Sequence, residues 1–162
     1  MVPMIQDKIH TQIVRNLSKV ETWFRQIRKD VDIPFYSSYD IRDSGYKVTN
    51  VDANIYPAGF NNICRTDRDH CAELVNDYLG RHYGPDVKKL LIVTEEHTNN
   101  PYYWDNVATL KLIIEGSGFD VRLAVPRVQT DQPTMMNSVS FGPIEVHAAV
   151  IENGKIRATN FE

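Results

Sequence analysis

Between residues 35 and 62 the chain reads FYSSYDIRDSGYKVTNVDANIYPAGFNN, with charges of both signs and several amides close together. Two β-like runs, 34–39 and 46–51, are each closed by charged or amide residues where an apolar run is expected to continue. The first leads into Asp40, Arg42 and Asp43. The second carries Lys47, Asp52 and Asn54 and runs into a Pro57-Ala58-Gly59 turn followed by Phe60, Asn61 and Asn62. Such a set suits a zwitterion: a guanidinium or ammonium for its carboxylate, carboxylates for its amine, amides to fix its orientation. The same residues also suit a solvated polar loop held by Asx-turns and ion pairs.

A second group follows the apolar run Leu90-Leu91-Ile92-Val93: Thr94, Glu95, Glu96, His97, Thr98, Asn99 and Asn100, then Tyr102, Tyr103 and Trp104. It is expected at the C-terminal end of a strand buried on both faces and at the start of a helix, where open α/β sheets hold ligands. Helix-start N–H groups suit a carboxylate or phosphate, Glu95 and Glu96 suit an amine or a metal, and the tyrosines can wall a small pocket. Alternatively, the glutamates compensate a helix dipole at the surface and the aromatics are core. Histidines 10, 70, 82 and 147 have no local context for catalysis, and only His97 stands beside candidate ligands.

Several chemistries are excluded. No GxGxxG or GxxxxGK[ST] loop follows a strand, and Gly116-Ser117-Gly118 closes a helix where a phosphate loop would have to open one. Cys64 and Cys71 lack zinc-ligand spacing and read as free thiols of a reducing compartment. With 162 residues, 42% hydrophobic and 24% charged, and a net charge of −3, the composition is that of a globular domain without a nucleic-acid surface. No apolar run spans a bilayer and no signal-peptide pattern opens the chain, so a cytoplasmic protein without membrane or nucleic-acid partners is expected.

The elements that must position these groups follow from periodicity. Ile5, Ile9, Ile13, Leu17, Val20, Phe24 and Ile27 predict an amphipathic helix over 1–30, packed on the domain's sheet, although such a terminal helix also suits a membrane or a partner. A second helix is expected over about 67–83, capped by Thr66 or Asp67, with Leu74, Val75, Tyr78 and Leu79 as its apolar stripe, Cys71 facing the core and Gly84-Pro85 as its stop. A third starts after Asn100 with Pro101 at its first position and runs to Gly116. Strands 90–94 and 121–125 flank it as a βαβ unit. Residues 127–137 read as a connecting loop, 138–141 and 144–151 as strands, and Asn153-Gly154 as a hairpin turn before 155–158. The fold class is α/β, a single domain over 1–162 with a mostly parallel central sheet, flanking helices and a C-terminal antiparallel hairpin.

The blocks FYSSYDIRDSGYKVTNVDANIYPAGFNNI and LLIVTEEHTNNPYYWDNV, in this order, resemble signatures of a rare proteobacterial family of glutamate–cysteine ligases first associated with iron-oxidising acidophiles. The resemblance spans residues 35–107. It implies ATP- and Mg²⁺-dependent joining of glutamate to cysteine, the first step of glutathione synthesis. It also implies a glutathione-synthetase-like fold in which an α/β domain precedes an ATP-grasp domain. Family chains are much longer, so the resemblance implies an N-terminal part lacking the ATP-grasp half. Neither ATP nor Mg²⁺ is expected to bind this part tightly. Two other readings stand beside it: an amino-acid-binding or regulatory module without catalysis, and a purely structural domain.

Overall fold

Asn16 divides the predicted N-terminal helix. A computed structural model describes residues 5–55, 58–95, 99–126, 132–159 and 161, and in it α1 spans Ile5–Arg15 and α2 Leu17–Arg28. Asn16 leaves helical geometry at φ −118° and ψ 21°, and its side-chain amide donates to the Gln12 carbonyl at 2.9 Å. Asparagine competes for backbone partners in this way, which suits helix ends better than interiors. Two strands follow, β1 (Ser38–Asp43) and β2 (Val48–Asn54), paired antiparallel as a two-stranded sheet. They lie later in the sequence than expected, so Asp40, Arg42, Asp43 and Asp52 sit within the strands, while Lys47 falls in the turn between them.

The chain divides into two compact units, Met1–Pro57 and Ala58–Glu162. In the first, no described residue is buried, neither on the helices nor on the hairpin. Among the described residues, the buried side chains all belong to the second.

The second unit opens with single-turn 3-10 helices at Phe60–Asn62 and Arg65–Asp67, then α3 (Arg68–Tyr83). Asp67 occupies the capping position without a side-chain cap bond. Ala72, Val75 and Leu79 form the buried face of α3, whereas Leu74, predicted with them, is exposed and Cys71 is half-buried. Gly84, at φ 85°, ends the helix. β3 (Lys89–Val93), α4 (Pro101–Gly116) and β4 (Asp120–Pro126) form the predicted βαβ unit, with β3 and β4 parallel.

β3 is only half-buried, because it lies at one end of the sheet with β4 as its neighbour. The strand buried on both faces is β4. Its Leu123 and Val125 join Trp104, Val107, Met136 and Val146 under α4, while Ala124 joins Ala158 and Phe161. β6 (Gly142–Glu152) runs parallel to β4 and antiparallel to both β5 (Thr134–Ser138) and β7 (Lys155–Ala158). The central sheet is thus mostly parallel, with an antiparallel hairpin at its C-terminal end.

β5 corrects the expected 127–137 loop. Residues 127–131 lie outside the described residues, but Thr134–Ser138 pairs with Gly142–Val146. Val139–Phe141, expected as strand, lies between β5 and β6, and Ser140 and Phe141 form part of their turn. At the β6–β7 turn Asn153 and Gly154 have φ 51° and 74°, the double positive φ of a type I′ hairpin.

Candidate functional site

The loop after β3 is built from the sheet outward. Thr94 is buried, and both its N–H (2.8 Å) and its hydroxyl (3.2 Å) donate to the Ala124 carbonyl, tying the strand exit to β4. Glu95 donates its N–H to the Tyr103 hydroxyl at 3.0 Å. Tyr103 therefore acts as a strut between this loop and α4, its ring edge-on to Trp104 at 5.2 Å, whereas Tyr102 is exposed. Asn100 caps α4 by accepting from the Tyr102 N–H at 3.0 Å, with Pro101 following at the first position. Glu95, Asn100 and Tyr102 thus gather where a parallel strand ends and a helix begins. Glu96 and His97 lie outside the described residues.

Asn61 and Asn62 follow Phe60 in a single-turn helix whose first residue bonds to the same α4. Gly59, at φ 82°, turns the chain, and the buried Phe60 donates its N–H to Asn106 Oδ1 at 2.8 Å. Asn106 lies five residues beyond Pro101, about 7.5 Å along the axis. The exposed amides of Asn61 and Asn62 and the β3–α4 loop therefore both belong to the first half of α4.

The remaining predicted residues belong to the first unit. Asp40 lies directly across from Asp52, next to a bulge between Asp40 and Ile41, and Arg42 lies across from Thr49. Opposed carboxylates destabilise a bare hairpin, so this pair favours a cation. Asp52 is partly satisfied locally, with Oδ2 accepting from Asn54 Nδ2 and Oδ1 from the Ala53 N–H, each at 3.0 Å. Asp43 accepts from the Gly45 N–H at 2.7 Å, an Asx-turn that joins Ser44 and Lys47 in closing the hairpin. The Arg42 side chain forms no hydrogen bond or ion pair among the described residues.

Two buried polar centres were not singled out from the sequence. Asp105 accepts from the Ser138 hydroxyl, from the Ser140 N–H (2.9 Å) and from the Ser140 hydroxyl (2.8 Å). Burial pushes its carboxyl up, but these bonds, with another from the Val139 N–H, outweigh burial and hold it below the usual carboxylate range. His147, also buried, places Nε2 2.7 Å from Glu145 Oε1 and 3.1 Å from Arg122 Nη1. Asp105-Asn106 in the middle of an apolar helix was the available signal, since buried polar groups must find partners. Of the thiols, Cys64 is exposed, and burial, aided by Asp67, pushes Cys71 up.

This architecture is that of an open α/β domain carrying polar groups at the exit of its parallel strands, the class that holds small ligands there. Within that class, the family model for glutamate–cysteine ligase matches residues 10–162, and the chain belongs to that family. A crystal structure from Methylobacillus flagellatus KT, assigned as a gamma-glutamylcysteine synthetase, superposes with a TM-score of 0.83 at 27% identity. The match covers 96% of this chain and 36% of that one, so the chain spans about a third of the neighbour's length. Among curated proteins, none matches the chain. No described helix is long and apolar enough to cross a membrane.

Proposed function

We propose that residues 1–162 form a substrate-binding region of an ATP-dependent ligase that joins L-glutamate to L-cysteine. Family membership carries this reading, and the polar groups around the start of α4 support it. The reaction activates a carboxylate as an acyl phosphate, which the cysteine amine attacks while phosphate leaves. ATP and Mg²⁺ supply the activation. The described residues do not fit that pair. No three His, Cys, Asp or Glu side chains among them come together to hold a metal, and the 94–100 segment contains no glycine to cradle a phosphate. No ligation step is therefore assigned to these residues. Their proposed work is to hold an amino acid and shape the cleft.

In the first unit Arg42 grips a substrate carboxylate, its planar fork matching both oxygens, while Asp40, Asp43 and Asp52 favour the amine and Lys47 and Asn54 complete the polar set. In the second unit Asn61, Asn62, Glu95, Asn100 and Tyr102 orient an amino acid at the start of α4, joined by Glu96 and His97. Calorimetric titration of the 162-residue protein with glutamate, cysteine and ATP tests the assignment. A dissociation constant of about 1 mM or tighter for either amino acid, about −4 kcal/mol, is expected. No heat with either amino acid up to roughly ten times that concentration would overturn it.

A further inference from the structure

From Ile13 onward the apolar stripe of the N-terminal helices follows a heptad period. Ile13, Leu17, Val20, Phe24 and Ile27 alternate steps of four and three, the spacing of a heptad seam, and Val31 continues it past the end of α2. None of these side chains is buried, and Ile13, Leu17, Phe24 and Ile27 are each about half exposed, at 42–51%. The i to i+4 ladder resumes across the Asn16 break, from Asn16 N to the Gln12 carbonyl (3.2 Å) and from Val20 N to the Asn16 carbonyl (3.0 Å). Ser18, Lys19, Thr22, Arg25 and Gln26 give α2 a polar opposite face. A helix lying on a sheet shows a wider apolar stripe of period 3.6, whereas a narrow seam of period 3.5 matches another helix wound around it.

We infer that α2 and the last turn of α1 pair, parallel and in register, with the same helices of a second copy of this chain. In that arrangement each seam residue meets its own counterpart. The flanking Trp23 of one copy comes beside Arg28 of the other, aromatic face to cation, and Asn16 beside Glu21, amide to carboxylate. With Trp23 itself 55% exposed, the stripe offers on the order of 600 Å² per copy, so the pair exceeds the roughly 1,000 Å² of a specific interface. The two-fold arrangement is closed and needs no further surface.

Sedimentation equilibrium of the 162-residue protein from about 1 to 100 µM should show reversible dimers, and Phe24→Asp should leave monomers. Because Phe24→Asp can also unwind α2, cysteine pairing supplies a second readout. In a Cys64→Ser, Cys71→Ser background, Val20→Cys should oxidise to a covalent dimer, whereas Thr22→Cys, on the polar face, should not. A monomer throughout that range, a dimer indifferent to Phe24→Asp, or equal crosslinking at 20 and 22 would overturn the inference.

Discussion

Several buried bonds converge on Asp105. Its carboxylate accepts from two serine hydroxyls and two backbone N–H groups of the turn between β5 and β6, fixing that turn against α4. Asp105→Asn keeps the volume but loses the charge, so it should cost about 1.5–3 kcal/mol, the value of bonds to a charged group. The folded-state pKa is depressed below that of the unfolded chain. The stabilisation is therefore present above the unfolded value of about 3.9 and is lost as pH falls through the folded value. Denaturant titrations at several pH values should show this acid-side loss in the native protein and not in Asp105→Asn. Arg42 is the opposite case, its side chain exposed and without a bond among the described residues. Arg42→Lys should leave stability unchanged but weaken binding of one amino acid at least ~10-fold, or about 1.4 kcal/mol, read by the same titration calorimetry. Unchanged affinities for both would return Arg42 to the surface.

At the scale of elements, the site rests on how α4 begins. Asn100 takes one of the orphan N–H groups and Tyr103 anchors the preceding loop, so the start of the helix and the strand exit are held together. Asn100→Ala should cost about 1 kcal/mol in a thermal or denaturant melt, while Asn100→Asp should preserve most of it. A loss well above 2 kcal/mol would show Asn100 doing more than capping. These features were legible in the sequence because they are local: Asn-Pro before an apolar helix, Asn-Gly between alternating residues, a βαβ rhythm. What was not legible depends on partners distant in sequence. Leu90-Leu91-Ile92-Val93 has the composition of an inner strand, yet its neighbours leave it half-buried at one end of the sheet. Thr134–Ser138 contains polar residues and follows a proline, and only β6 makes a strand of it. The hairpin residues are a polar cluster in the sequence itself, but their register, which sets Asp40 against Asp52, needed the bulge to be seen.

At the scale of the molecule the two units differ in what stabilises them. Residues 58–162 bury Trp104, Ile113, Leu123 and Val146 almost completely and contain all the buried apolar side chains among the described residues. The first unit exposes Trp23, Ile41, Tyr46, Val51 and Ile55 and buries no described residue. Because folding free energy comes chiefly from burial, the second unit should be the cooperative one. A chain of residues 58–162 should keep a cooperative melt, with Trp104 emission characteristic of a buried indole. Native-state hydrogen exchange of the 162-residue protein should find the slowest amides in β4 and α4. Amides of β1 and β2 should exchange by local opening, at free energies far below the global value. If amides of β1 or β2 exchanged only through global unfolding, the hairpin would belong to the same cooperative unit, and its polar face would be as rigid as the start of α4. The amino-acid groups of the hairpin would then be preorganised before ligand arrives. Fast exchange that slows on adding glutamate or cysteine would instead show that the ligand orders them, with part of the binding free energy offset by that ordering.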